Sequence, residues 1–357
     1  MINYIAHWDR ILIQSRSEII NELQEHDFRA ICPLEDSSKI KDYYSECIDW
    51  KISKTKFFDF KAIFKLKRIL NNLEENSVVH VFTLKSGFFF MIAAYFSKNK
   101  LNSTLSITGL GYLFSNRLNT KLIKSFLRPI FIKLVNKTFR NIIYQNSFDK
   151  NLFNQYSKFT NNSYLIESSG LKGSQYMLKE NFNKKLRVIL AARFLEDKGI
   201  KEYINLASMV NSTDIKFYLA GELDEGNPKS LTYKDLENIK KNKFVEYLGF
   251  VDLKKELKNY DVLISLSNHE GFSRVLLEAI YVGLYCIAFK NSGTEFIEDF
   301  QNTKIVDSKN LDIINNEIIE ILNNNQKISL KNREIINEKY STKNIAISFD
   351  KIYKMEF

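Results

Sequence analysis

The chain has 357 residues, a formal net charge of +10 and 45% hydrophobic residues, enough apolar material for two cores and more length than one core comfortably holds. Three cysteines (Cys32, Cys47 and Cys286) without paired spacing supply no disulfide framework, and four histidines without ligand spacing supply no zinc motif. A reducing cytoplasm is the compartment these counts suggest.

The N-terminus is neither cationic nor followed by an apolar signal core. Ile2–Ala6 reads as a short strand, and His7-Trp8-Asp9 follows it without a glycine. His7, Asp9 and Arg16 are candidate ligand contacts there, with a hydrogen-bonded structural role the competing reading for His7. Val78–Phe82 reads as a strand that carries His80 as a structural residue. The apolar stretch Gly87–Phe96 is about half of what a bilayer requires.

After the strand-like Leu105–Ile107 comes Thr108-Gly109-Leu110-Gly111, where two glycines permit a close backbone approach to a ligand. Thr108, Gly109 and Gly111 are therefore candidates for the wall of a site, with an ordinary tight turn as the alternative. Arg117–Arg140 follows, with seven cations, no acid and many large aliphatics between them. It reads as a basic amphipathic helix interrupted at Pro129, suited to an anionic leaflet. A core helix with a solvated basic face is the other reading. Lys and Arg outnumber Asp and Glu by 24 to 15 in residues 1–170 and by 28 to 27 in residues 171–357, so the charge excess belongs to the first half. No nucleic-acid-binding motif accompanies it, and no nucleic-acid partner is expected.

A boundary falls within 168–185, where Ser168–Gly173 and Asn181–Lys185 interrupt the pattern. This gives one domain over 1–170, rejoined by a final helix over 341–357, and a second over 171–340. In the second domain, Leu186–Ala192 is a strand pattern leading into Arg193 and Lys198-Gly199, then a helix over Ile200–Val210. Ile215–Ala220 leads to Gly221, and Val245–Leu248 to Gly249-Phe250-Val251. The strand Val262–Leu266 precedes Glu270-Gly271-Phe272-Ser273-Arg274, a helix ending at Gly283, and the strand Leu284–Phe289. Strand and helix alternating in this way argue for a parallel, doubly wound sheet whose ligands bind at the carboxyl ends of the strands. Glu270 falls at such an end, and Glu278 lies on the helix that follows. Arg193 and Lys198 are the cations available for a diphosphate. The bland alternative for Arg274 and Glu278 is a surface i,i+4 pair.

The ordered set Thr108–Phe114, Ala192-Arg193 with Lys198-Gly199, Gly221–Pro228, Tyr247–Asp252 and Glu270-x7-Glu278 resembles the bacterial family-4 retaining glycosyltransferases, over most of residues 75–300. Within that family the chain is similar to enzymes acting on polyprenyl-diphosphate-linked glycans. The resemblance implies an α/β GT-B fold, with two Rossmann-like domains and a deep cleft between them. The first would face the acceptor and the second would bind the nucleotide sugar.

Residue by residue, the resemblance implies that Glu278 binds the ribose hydroxyls and that Arg193 and Lys198 hold the donor diphosphate. Glu270 and the backbone of Gly271–Ser273, with Arg274 beside them, would meet the transferred sugar. Phe250 and Val251 would lie near the base, with Gly221 and the interdomain Gly170 also on the donor side. It implies transfer of a hexose or N-acetylhexosamine, with UDP the expected nucleotide, to an undecaprenyl-diphosphate-linked glycan in surface-polysaccharide (O-antigen or capsule) biosynthesis. No metal and no cofactor beyond the nucleotide-sugar substrate are expected. The enzyme would sit peripherally on the inner face of the cytoplasmic membrane, through Arg117–Arg140. A non-catalytic GT-B protein that binds nucleotide sugar or glycan is the alternative.

Overall fold

A computed structural model describes residues 1–357 apart from 36, 54–57, 110–120, 156–161, 211, 228, 308–309, 325 and 355–357; at 15, 37 and 121–128 it describes the backbone alone. The chain divides into two units, Met1–Gly170 with Thr342–Phe357, and Leu171–Ser341.

Unit 1 is built on seven strands: β1 (Ile2–Ala6), β2 (Phe28–Cys32), β3 (Glu46–Asp49), β4 (Val78–Phe82), β5 (Asn102–Ile107), β6 (Asn141–Tyr144) and β7 (Asn162–Leu165). They form one parallel sheet in the order β3-β2-β1-β4-β5-β6-β7. β1 and β4 are buried along their whole length, which is why they are mostly apolar on both faces, with Asn3 and His80 the polar exceptions. Helices α1 (Asp9–Ser15), α2 (Ser17–Glu22) and α3 (Ser37–Lys41) precede α4 (Phe60–Asn71), α5 (Leu84–Tyr95), α6 (Lys121–Thr138) and α7 (Ser147–Gln155). Asp59 caps α4 by accepting the Ala62 N–H at 3.1 Å. Leu66, Leu70, Phe89, Phe90, Ile132 and Val135 carry α4, α5 and α6 onto one core cluster.

Pro129 does not interrupt α6, contrary to the sequence expectation. The helix runs through it, losing one backbone hydrogen bond, because Ile132 and Val135 anchor the following turns in the core. Phe131 and Phe139 join them there, whereas Ile130 and Leu134 stay exposed. Arg117 lies outside the described residues.

Unit 2 holds β8 (Leu186–Ala191), β9 (Ile215–Ala220), β10 (Val245–Gly249), β11 (Val262–Ser265), β12 (Tyr285–Phe289) and β13 (Thr303–Val306), parallel throughout and ordered β10-β9-β8-β11-β12-β13. Its helices are α8 (Ile200–Met209), α9 (Tyr233–Lys240), α10 (Leu253–Glu256), α11 (Arg274–Val282), α12 (Leu311–Asn323) and α13 (Leu330–Lys339). Gly283, with φ 114°, closes α11 in the left-handed conformation that glycine alone adopts readily, and its N–H and that of Leu284 both reach the Ala279 carbonyl. Before β8, the fully buried Asp261 takes the Lys179 ammonium at 2.9 Å and the Asn183 and Arg187 N–H groups at 2.8 Å each, pinning the entering segment to the sheet. Helix α14 (Thr342–Lys354) belongs to unit 1, where Ile345, Phe349, Ile352 and Tyr353 enter the core cluster with α2 and β1.

Candidate active site

In each sheet the strand order reverses once, and such a switch point opens a crevice beyond the carboxyl ends of the two central strands. In unit 2 these strands are β8 and β11. The β8 loop delivers Lys198 and the β11 loop delivers Glu270, and they meet: Lys198 Nζ donates to Glu270 Oε1 at 2.5 Å. Two features hold the pair. The Asn268 N–H donates to the Asp197 carbonyl at 2.9 Å, tying the β11 loop to the β8 loop. Gly293, in the loop after β12, lies so close that a Cβ there would sit 2.5 Å from Glu270 Cβ and 2.7 Å from its carbonyl carbon. Gly199, at φ 71°, faces Leu266 just as tightly.

Helix α11 starts beside Glu270. Ser273 is its N-cap, is almost fully buried, and donates its N–H to the Gly293 carbonyl at 2.9 Å; its Oγ makes no hydrogen bond. One turn on, Glu278 is 8% exposed and Arg274 Nε donates to its Oε1 at 2.8 Å. The i,i+4 pair is thus real, but it is not a bare surface pair: Tyr176 OH donates to the same oxygen at 2.7 Å. Burial and the neighbouring carboxylate raise the Tyr176 pKa, so the phenol stays protonated and keeps donating. Oε2 has no protein partner among the described residues.

Arg193 Nη1 pairs with Asp224 Oδ2 at 2.6 Å, and Asn227 donates to that oxygen at 2.9 Å. Both candidate cations are therefore matched to carboxylates that an entering anion would have to displace or share. Gly221, at φ 140°, stacks its backbone on Ala192, whose carbonyl oxygen would lie 1.8 Å from any Cβ. Phe250 is 73% exposed at the end of β10, and Val251 packs inward beside it. Gly271, Phe272 and Arg274 line the same turn; Phe272 stacks on Phe296 at 4.3 Å between ring centroids. Gly170 belongs to unit 1, where its φ of 84° brings it against Thr342.

In unit 1 the switch point lies between β1 and β4. His7 follows β1 and Thr83 follows β4; His7 Nδ1 lies 3.0 Å from Thr83 Oγ1 and 3.1 Å from Ser86 Oγ, and the His7 N–H donates to Ser86 Oγ at 2.9 Å. Thr83 adopts φ 77° and ψ 152°, a region otherwise left almost wholly to glycine. Asp9 and Arg16 are 1% and 2% exposed. The Arg16 guanidinium lies 4.7 Å from the Phe82 ring centre and 5.7 Å from that of Phe349. Thr108 and Gly109, the latter at φ 137°, are half-buried beyond β5; Gly111 lies outside the described residues. His80 is fully buried between Tyr353 OH and Ser106 Oγ, each at 2.7 Å.

Tyr176, Asp224, Gly293, Thr83 and Ser86 join these clusters without having been singled out from sequence. Asp224 stood inside the noted Gly221–Pro228 segment, whereas no local pattern flags the other four. No group of His, Cys, Asp and Glu able to hold a metal occurs among the described residues, and no helix there is long and apolar enough to cross a membrane.

Two parallel doubly wound sheets, with a Lys–Glu pair and a helix-borne glutamate at the switch point of the second, give the chain the GT-B fold. Residues 175–341 match the family model described as Glycosyl transferases group 1, so unit 2 carries that domain. The chain is 26% identical over 302 residues to N,N'-diacetylbacillosaminyl-diphospho-undecaprenol alpha-1,3-N-acetylgalactosaminyltransferase of Campylobacter jejuni, an alignment covering 78% of this chain and 77% of the relative. Among solved structures it is similar to sucrose-phosphate synthase from Thermosynechococcus elongatus (TM-score 0.79, 15% identity, covering 99% and 98% of the two chains). It is also similar to Anabaena HepE in complex with UDP and glucose (TM-score 0.73, 14% identity, 99% of each).

Proposed function

We propose that this glycosyltransferase moves a hexose or N-acetylhexosamine from a nucleotide sugar, with UDP the expected nucleotide, to an undecaprenyl-diphosphate-linked glycan in surface-polysaccharide biosynthesis, with retention of configuration and without a metal. The observation that carries this reading is the extent of the Campylobacter relative. Its 302 aligned residues outrun the matched domain at 175–341 and reach into unit 1, and the acceptor in its name is an undecaprenyl diphosphate.

Unit 2 would hold the donor. Glu278 is the group for the ribose diol, because a carboxylate oxygen without a protein partner accepts hydroxyl donors well. Lys198 and Arg193 are the groups for the diphosphate. As the glycosidic bond breaks, negative charge grows on the leaving phosphate, and fixed cations stabilise that charge more than the charge of the ground state. Glu270, held by Lys198, would orient the transferred sugar from the N-terminal end of α11, with the backbone of Gly271–Ser273 beside it and Phe250 and Val251 toward the base. The leaving phosphate would help deprotonate the acceptor in a front-side displacement, with no covalent glycosyl-enzyme.

Unit 1 would take the acceptor, with His7, Thr108 and Gly109 as its contacts, at the anionic inner face of the cytoplasmic membrane. The test is transfer from a panel of UDP-, GDP- and dTDP-sugars, using inner-membrane lipid extract as acceptor and Arg193→Ala as control. Labelled lipid product from one donor, absent in the control, is the expected result. No turnover by a folded protein with any donor, while nucleotide sugar still binds, would replace this reading with that of a binding protein.

A further inference from the structure

Helices α4, α5 and α6 form one layer on the unit 1 sheet, with α5 packed against both neighbours. The outward side of that layer is apolar where a soluble surface is usually polar. On α4 the row at i, i+4 and i+8 is Phe60, Phe64 and Arg68, the two phenylalanines being 70% and 63% exposed. Helix α5 is apolar nearly all round; its outer strip runs through the half-buried Phe88 and Ile92 to Tyr95, which is 75% exposed, and Phe96. On α6, Ile130 and Leu134 are exposed beside Lys133 and Lys137. Single exposed apolar residues are ordinary, but a run of them across three adjacent helices marks an interaction surface.

The charge pattern identifies the occupant. No Asp or Glu occurs between Glu75 and Asp149, a span with ten Lys and Arg residues, and α4 adds Lys61, Lys65, Lys67 and Arg68 without an acid. Protein interfaces are depleted in lysine, whereas aromatic rings bordered by long cationic side chains are the pattern of a segment lying in a lipid headgroup layer. We propose that the α4–α5–α6 face docks on an anionic bilayer, with Phe60, Phe64, Tyr95 and Phe96 entering the headgroup boundary and Lys61, Arg68, Lys133 and Lys137 meeting lipid phosphates. This rests on the membrane-surface reading above and moves its centre from Arg117–Arg140 to α4 and α5.

The test is co-sedimentation of the full chain with phosphatidylcholine vesicles, pure or mixed equally with phosphatidylglycerol. Wild type, Phe60→Ser/Phe64→Ser and Lys133→Gln/Lys137→Gln are compared; all four positions are solvent-facing, and thermal melts confirm folding. Wild type should bind the mixed vesicles, and the phenylalanine variant should bind about tenfold less tightly. Phenylalanine-variant binding equal to wild type, with the lysine variant impaired, would overturn the proposed face and leave the membrane reading standing. A wild type that binds neither vesicle would overturn both.

Discussion

The ammonium of Lys198 lies 2.5 Å from the Glu270 carboxylate, although 72 residues separate them, because their loops leave the carboxyl ends of the two strands at which the sheet order reverses. Each charge is the other's counterion, at 14% and 21% side-chain exposure. Replacing Lys198 with Ala should lower kcat by about a hundredfold with a small change in donor KM, since in the proposed reaction the ammonium acts on charge that develops in the transition state. Steady-state kinetics test this, and wild-type kcat would remove Lys198 from the reaction.

Tyr176 offers a way to adjust Glu278 without removing it. Tyr176→Phe deletes one of the two hydrogen bonds on Oε1 and should weaken nucleoside diphosphate binding by about three- to tenfold. Glu278→Ala should weaken it further. Calorimetric titration with UDP reads both, and unchanged affinity in both variants would sink the assignment of this helix to the donor.

Gly293 is a steric test of the same site. Because its Cβ would collide with the backbone of Glu270, Gly293→Ala should displace the loop that carries the carboxylate and reduce turnover more than tenfold, at a stability cost of about 1–3 kcal/mol. Activity and urea midpoint measured on one preparation separate the two effects.

His80 sets a pH dependence. Burial, with the Arg16 charge nearby, holds its pKa well below the ordinary value. The unfolded chain takes up this proton near pH 6.5 while the folded protein remains neutral, so the unfolded state binds more protons and stability falls as pH drops below about 6.5. The urea midpoint of wild type should fall between pH 7 and 5 more steeply than that of His80→Gln.

Thr83 carries backbone strain of about 1–3 kcal/mol beside His7. Thr83→Gly should relieve that strain and keep or raise the melting temperature, while deleting the hydroxyl that lies against the imidazole. If His7 contacts the acceptor, acceptor KM rises in this variant with donor KM unchanged; equal KM values would make the His7–Thr83–Ser86 group structural.

Unit 2 was the more legible half because its strands are short apolar runs that end in glycine or in charged loops, so β8, β9, β11, β12 and α11 follow from local pattern alone. Which strands are neighbours does not. The Lys198–Glu270 contact depends on β8 lying beside β11, and the Tyr176–Glu278 contact spans 102 residues. In unit 1 the surroundings of Asp9 and Arg16 were not legible. A charge just after a first strand suggests a ligand contact, but its burial and the aromatic faces that Phe82 and Phe349 offer the guanidinium are long-range facts, and Phe349 comes from the far end of the sequence. The unusual backbone at Thr83 has no counterpart in residue type, since threonine ordinarily avoids it.

The return of α14 to unit 1 has a consequence during synthesis. Tyr353 donates or accepts hydrogen bonds with both Tyr4 and His80, and Phe349 and Ile352 fill the core around them. Unit 2 is continuous from Leu171 to Ser341, so on the ribosome it has all of its chain before unit 1 does. The usual order, N-terminal domain first, is inverted. The half translated first waits, with an unfilled groove along its sheet, for residues 342–354, and a nascent chain halted before them exposes that groove to chaperones.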